Sequence, residues 1–250
     1  MFNFFVEEKF NDFYLIKNSD YNHIKNVLRM NIGEKILVSM NGISSLCEIA
    51  DFQNDAVIAK IITENYKITE LPINIHLFQG LPKSDKMELI IQKCVELGVS
   101  EITPVAMSRC VVKLDDKKKE NKISRWQAIS ESAAKQSKRT TIPKINKVLS
   151  FKELLNIIKD FDLFLVPYES KDGMKSTVNA ISNINKGNNI AILIGPEGGF
   201  ETDEIICAEN NGGKIVSLGK RILRTETAAI TAVSMCMLYA EMNLSEENND

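Results

Sequence analysis

The residues best placed to do chemistry lie between positions 190 and 230, where two glycine turns precede a short basic segment. Gly195, Pro196, Gly198 and Gly199 surround a single acid, Glu197, so the backbone can approach a ligand closely there and take positive φ where needed. Farther along, Gly219 closes a second apolar run, and Lys220, Arg221 and Arg224 follow before a stretch rich in Ala and Thr. GPEGGF matches neither G-x-G-x-x-G nor G-x-x-x-x-G-K-[ST], so the dinucleotide fingerprint and the Walker phosphate loop are both absent. Taken alone, this turn could equally be a tight bend before a helix capped by Thr202. Cys47, Cys94, Cys110, Cys207 and Cys236 are scattered without a C-x-x-C pair, and only His23 and His76 could add imidazole. That pattern argues against a zinc site or a disulfide framework and for reduced thiols, so no metal is expected.

The elements that must hold these turns follow from periodicity. Residues 190–194 are an unbroken apolar run, the pattern of a strand buried on both faces, and 214–218 form a second short strand. From Pro72 onward strands and helices alternate. Residues 73–81 and 99–107 read as strands, and 83–97 as an amphipathic helix with Ser84 or Asp85 as cap, an apolar stripe of Met87, Ile90, Ile91, Cys94 and Val95, and Gly98 beyond its end. Further helices are expected at 124–137, 151–160, 176–184 and 227–242, with a strand at 161–169. This alternation implies a parallel sheet with helices on both faces, whose ligands sit outside the carboxyl ends of the strands, where both glycine turns fall.

Residues 1–70 read differently. Short β-branched and aromatic runs at 2–8, 35–40, 45–52 and 56–62 surround one helical stretch at 21–29, capped by Ser19 or Asp20, and Asn41-Gly42 is a strong hairpin signal. A small barrel-like β module is expected, joined at 70–71 to an α/β domain over 71–250.

Composition sets the class. With 250 residues, 44% hydrophobic and 26% charged, the chain can bury a core without staples. No apolar run approaches the roughly 18 residues of a membrane span, and the N-terminus lacks a basic flank with a long apolar core. A cytoplasmic protein is expected, with no membrane partner. The net charge of −2 argues against nucleic acid, but its distribution does not. Residues 83–147 hold 15 Lys and Arg against 8 Asp and Glu, a basic middle on an acidic chain that would suit a phosphate-binding face. The alternative is a solvated lysine-rich helix face.

IGPEGGF followed by SLGKRILRTETAAI closely resembles the ribosomal small-subunit RNA methyltransferase E family, the 16S rRNA uracil-N3 methyltransferases of the SPOUT superfamily. His23 with Val27-Leu28-Arg29, the Gly33-Glu34 turn, residues 83–98, Arg125-Trp126 and 133–139 with Pro143 extend the likeness over nearly the whole chain. The resemblance implies a PUA-like β-barrel that binds RNA over residues 1–70, then a SPOUT methyltransferase domain over 71–250. The parallel sheet of that domain carries a C-terminal trefoil knot around an S-adenosylmethionine pocket. It also implies a homodimer closed through the knot region, with 16S rRNA or the assembled small subunit as substrate. Periodicity alone reads a plain doubly wound sheet, because chains rarely thread their own loops.

Matched by motif, Ile194, Gly195, Glu197, Gly199, Leu218, Gly219, Ile222, Leu223 and Thr227 belong to the cofactor pocket, with 166–168 as a third wall. Arg221 and Arg224 become the electrophilic partners of the uracil oxygens or of an adjacent phosphate, and Glu197 and Glu226 the nearby acids able to accept a proton or hold a ribose or cofactor group, with Glu226 equally an arginine-fixing or helix-capping carboxylate. Candidate RNA contacts are Arg29, Lys83, Lys86, Arg125, Lys135, Lys138 and Arg139. The chain departs from the family at Asn3, where a basic residue is usual, and at Lys135 and Lys138, where Glu and Gly are usual. Trp126 could stack on a base but reads better as core. Two other readings stay open: a SPOUT methyltransferase for another RNA such as tRNA, and a non-catalytic RNA-binding protein of the same fold.

Overall fold

The computed structural model of the chain describes residues 1–112, 115–169 and 173–245. The chain divides into two compact units, Met1–Glu70 with Ser132–Ile142, and Leu71–Glu131 with Pro143–Asp250. The return of 132–142 to the first unit is not foreseen by the sequence. Side-chain contacts tie it there: Asn3 donates to the Arg139 carbonyl at 2.9 Å, Lys135 pairs with Asp20 at 2.9 Å, and Arg139 is clamped by Glu70.

In the first unit, strands β1 Asn3–Phe5, β2 Lys9–Phe10, β3 Phe13–Lys17, β4 Lys35–Met40, β5 Ile43–Phe52 and β6 Ala56–Thr63 form one sheet in the order β1-β4-β5-β6-β3-β2. All pairings are antiparallel except β1 with β4. Met40 faces Ile43 across Asn41 and Gly42, whose φ values of 51° and 81° are those of a two-residue type I′ hairpin. Register shifts in β5 add local twist and curl the sheet around Phe4, Tyr14, Ile16, Ile36 and Val38. Among the described residues the hydrogen-bonded ladder ends at β1 and β2, so the barrel-like module expected from the sequence is a curled sheet. The helix expected at 21–29 begins earlier, as α1 Asn18–Asn22, and widens into a π turn, His23–Val27, with Leu28 N–H bonded to the His23 carbonyl. No side chain caps it. Strands β2 and β3 are additions to the sequence reading.

The second unit carries seven parallel strands: β7 Asn74–Gly80, β8 Glu101–Ala106, β9 Lys144–Ile145, β10 Leu149–Ser150, β11 Leu163–Pro167, β12 Asn189–Ile194 and β13 Lys214–Val216. Their order is β10-β8-β7-β12-β11-β13, with β9 also beside β8. Helices α2 Lys86–Glu96, α3 Asp116–Ser137, α4 Phe151–Ile157, α5 Met174–Ile181, α6 Thr202–Asn210 and α7 Thr225–Asn243 connect or follow them. The central strands are buried on both faces, as their unbroken apolar runs require; Phe78, Leu193 and Phe164 enter one core cluster with Ile205 of α6. On α2 the buried residues are the stripe Met87, Ile90, Ile91, Cys94 and Val95, and Gly98 follows at φ +94°. Neither Asp85 nor any other side chain caps its start. α6 opens with a reciprocal capping box of Glu201 and Glu204, not with Thr202. α7 packs on α2, β7 and β12 through small residues, with Ala229, Ala232, Val233, Cys236 and Ala240 buried, while Leu238 and Met242 stay exposed. No described helix is long and apolar enough to cross a membrane.

Candidate active site

Three strand ends meet at one depression. The turn after β12, the chain between β13 and α7, and the end of β11 line a pocket of about 680 Å³. Ile194, Gly195, Glu197, Gly199, Leu218, Gly219, Arg221, Ile222, Leu223 and Arg224 all contribute to its wall, with Pro167, Tyr168 and Glu169 from the β11 side. Thr227 does not. It is exposed on α7, and the threonine that faces the pocket is Thr225, two positions earlier at the start of the helix. Val166 is fully buried beneath the wall rather than in it.

The pocket backbone is held from behind. Thr225 Oγ1 donates to the Gly195 carbonyl at 2.7 Å, and Gln79 Nε2, at the end of β7, donates to Thr225 Oγ1 at 2.9 Å. A Cβ on Gly80 would stand 2.7 Å from the Pro196 backbone nitrogen, so β7 and the glycine turn touch main chain to main chain. On the outer side Arg109 grips the turn, with Nε and Nη2 donating to Glu201 at 2.8 and 3.1 Å and Nη1 to the Gly198 carbonyl at 3.1 Å. Across the pocket, Ser217 and Thr177 exchange hydrogen bonds at 2.6 and 3.0 Å, and Gly219 turns at φ +109°. Tyr168 packs edge-on against Phe200 at 5.9 Å.

Charge in the pocket separates into two groups. Arg221 and Arg224 are exposed on its rim and, among the described residues, neither guanidinium has a hydrogen-bond or ion-pair partner. Arg224 starts α7 as its N-cap without a side-chain cap bond. Opposite them, Lys86 Nζ lies 3.1 Å from Glu197 Oε1 and 3.4 Å from Glu226 Oε2. Burial pushes the Glu197 carboxyl up, but its own N–H, the Lys83 N–H at 3.0 Å and the Lys86 ammonium prevail and hold it below the usual carboxylate range. Its hydrogen bond in turn raises Lys86. Glu226 is not part of the pocket wall and reaches it through Lys86.

The expected RNA contacts fall into different settings. Arg29, at φ +52°, Lys83 and Lys138 are exposed. Arg125 is engaged by Glu88 at 2.8 Å and Lys135 by Asp20 at 2.9 Å. Arg139 is 4% exposed and locked on Glu70, which also accepts from the Thr140 N–H, so its guanidinium holds the fold together and is not open to a phosphate. Asn3 is a second structural residue, buried between the Arg139 carbonyl and Ser39. Trp126 is core, at 3% exposure. Sequence reasoning missed Gln79, Arg109 and Thr225, and read Lys86 as an RNA contact. The RTET spacing could have pointed to Thr225; nothing in the local sequence marks Gln79 or Arg109. All five cysteines are free, and among the described residues no cluster of His, Cys, Asp and Glu is placed to hold a metal.

An open parallel sheet with its pocket at the carboxyl strand ends and glycine turns for walls places a ligand site where open α/β sheets carry theirs. Family comparison places the chain among RNA methyltransferases: the RNA methyltransferase domain model matches residues 69–237, and the RNA methyltransferase PUA domain model matches residues 16–62. The ribosomal RNA small subunit methyltransferase E of Bacillus subtilis is 42% identical over 231 residues, 91% of this chain and 90% of that protein. The protein of the same name from Mesomycoplasma hyopneumoniae is 37% identical over 95% of this chain and 99% of its own length. The crystal structure of a ribosomal RNA small subunit methyltransferase E from Neisseria gonorrhoeae, bound to S-adenosyl methionine, superposes with a TM-score of 0.80 at 30% identity, covering 94% of this chain and 95% of that one. The chain belongs to the ribosomal RNA small subunit methyltransferase E family.

Proposed function

We propose that the protein transfers the methyl group of S-adenosylmethionine to N3 of one uridine in 16S rRNA, and acts in the cytoplasm on that rRNA or the small subunit built on it. The observation that carries this reading is the pair of unpartnered guanidiniums, Arg221 and Arg224, on the rim of a pocket walled by backbone and apolar side chains. S-adenosylmethionine supplies an electrophilic methyl on a sulfonium. The pocket fits such a molecule: its volume of about 680 Å³ lies in the range of small-molecule sites, and Gly195, Gly199 and Gly219 leave main-chain groups accessible to an adenine edge.

The remaining chemistry belongs to the chain. Uracil N3 ionises near pH 10, in the tyrosine range, so forming its anion at pH 7 costs about 4 kcal/mol. A hydrogen bond from a charged donor contributes about 1.5–3 kcal/mol, so two arginines on the uracil oxygens offset that cost between them. Once the anion exists, the in-line displacement needs placement more than covalent help, in keeping with a pocket wall that, among the described residues, holds no cysteine or histidine. Glu197 in the pocket wall and Glu226 behind it, both on the Lys86 ammonium, are the carboxylates that would take the proton.

The sheet order supports a knotted SPOUT domain. β12 lies between β7 and β11, both laid down earlier in the chain, and β13 then adds outside β11 before the chain returns to pack α7 on α2 and β7. Exposed Leu238 and Met242 on α7, with Ile222 at 95% exposure beside the pocket, support a homodimer through this region. The unit built on residues 1–70 would bind RNA as PUA-like modules do, and that built on 71–250 would carry the transfer.

The test is methyl transfer from labelled S-adenosylmethionine to purified small subunits, 16S rRNA and tRNA, with mass mapping of the product. A single labelled uridine in 16S rRNA is expected. Label on tRNA alone would move the protein to another SPOUT substrate, and a calorimetric titration without S-adenosylmethionine binding would overturn the enzyme reading altogether.

A further inference from the structure

We propose that Lys86 is a positioning residue of this methyl-transfer pocket, tying Glu197 of the glycine turn to Glu226 of α7, and not a phosphate contact for RNA; the role presupposes the methyl transfer proposed above. Lys86 stands in the first turn of α2, and its ammonium lies 3.1 Å from Glu197 Oε1 and 3.4 Å from Glu226 Oε2. Two elements late in the chain are thereby joined, at one nitrogen, to a helix more than a hundred residues before them. Glu226 Oε2 is buried and accepts no well-formed hydrogen bond, so among the described residues the Lys86 ammonium is the cation that neutralises it. One ammonium facing two carboxylates leaves a local excess of negative charge. An RNA phosphate arriving there would meet repulsion, whereas the unpaired Arg221 and Arg224 on the rim offer it uncompensated positive charge. The other charged groups around the cluster are Lys83 and Asp85 at the α2 start, Lys220 and Glu169 on the pocket wall, and the Arg109–Glu201 pair behind the turn.

Loss of the ammonium acts on both carboxylates as proton acceptors, Glu197 in the pocket wall and Glu226 behind it. A buried carboxylate that loses its only opposing charge favours its protonated form, so removing the ammonium raises the pH at which the base becomes available. Transfer would then fail from the acid side first.

Full-length Lys86→Met, Lys86→Gln and Lys86→Arg are compared with wild type for methyl transfer to small subunits across pH, and for the salt dependence of RNA binding. Wild-type transfer is read first, and its absence would defeat the methyltransferase reading itself before any variant is made. Given wild-type transfer, the expected result is that Lys86→Met and Lys86→Gln shift the acid limb of kcat upward by about one pH unit, leave KM for the subunit within about twofold, and keep the salt slope, while Lys86→Arg restores the wild-type limb. If the neutral variants instead keep the acid limb, raise KM for the subunit and lose about 0.9 from the salt slope, Lys86 is a phosphate contact and the proposal is overturned. A folded neutral variant with an unchanged pH profile and unchanged KM overturns it as well, and melting curves identify which of Met and Gln is folded.

Discussion

Replacing Arg224 by alanine tests the anion-stabilising rim most directly. Its guanidinium has no partner among the described residues, so truncation breaks no ion pair in the folded protein, and the Arg224 carbonyl keeps its bond from the Ala228 N–H at the start of α7. Stability should therefore change little. Catalysis should not. Holding the uracil anion at pH 7 needs about 4 kcal/mol, and an equal division between two arginines assigns about 2 kcal/mol to each, or about a 30-fold loss of kcat on truncation. The loss carries a pH signature: as the solution approaches the uracil's own pKa near 10, the substrate ionises unaided and the deficit narrows. Single-turnover transfer from labelled S-adenosylmethionine to small subunits at pH 7 and pH 9, with calorimetric cofactor binding as control, measures both effects. Cofactor affinity should stay within about twofold of wild type, since the proposed cofactor contacts are main-chain groups at Gly195, Gly199 and Gly219 in the pocket wall. A loss below about threefold at pH 7, or a deficit that does not narrow with pH, refutes the assignment.

Three further outcomes follow from named contacts. Gly80→Ala places a Cβ 2.7 Å from the Pro196 nitrogen, a main-chain atom that cannot swing away, so urea denaturation should show a loss of about 1–3 kcal/mol and calorimetry a weaker cofactor affinity. Burial raises the Glu70 carboxyl, but Arg139 and the Thr140 N–H and hydroxyl more than offset this and hold it below the usual range. Its stabilisation is complete above the unfolded value of about 4.3 and lost as pH falls through the folded one, so Glu70→Gln should cost about 3 kcal/mol at pH 7 and flatten the acid limb of stability. Burial against Phe78 pushes His76 down to about 4, with Glu101 acting weakly the other way. The folded protein refuses a proton that the unfolded chain binds below about pH 6.5, so stability should fall from there toward pH 4, and His76→Gln should remove that slope in denaturant titrations.

How far the sequence reveals this site depends on whether a contact is local in the chain. The glycine turn, the β13 end and the arginines lie within 35 residues, close enough for the family motif to bring most of the pocket wall together where spacing alone leaves a tight turn as good a reading. Strands β7 and β12 were legible because burial on both faces forces an unbroken apolar run. β3 was not: Tyr14 and Ile16 alternate inward, but Phe13 and Leu15 on the other face are apolar too, which erases the period of two. The same holds for charge. Lys86, Arg125, Lys135 and Arg139 look alike in a basic stretch, and only their carboxylate partners, lying 37 to 140 residues away, distinguish a structural cation from a free one. Residues 132–142 join the first unit through such distant partners, Glu70 and Asp20.

The strand order explains why residues so close in sequence can also be held rigidly. Methyl transfer in line tolerates little positional error, and a glycine turn is intrinsically the least constrained backbone available. Here its freedom is removed from three directions: Gly80 abuts Pro196 from β7, Thr225 bonds the Gly195 carbonyl from α7, and Arg109 grips Gly198 and Glu201 from the end of β8. The first two need β12 to lie beside β7 and α7 to return across it, which is what insertion of β12 between β7 and β11 achieves. Gln79 completes the chain of bonds, donating to Thr225 from the strand that the turn abuts. The glycines keep main-chain groups open to a ligand, and their neighbours supply the stiffness that glycine lacks.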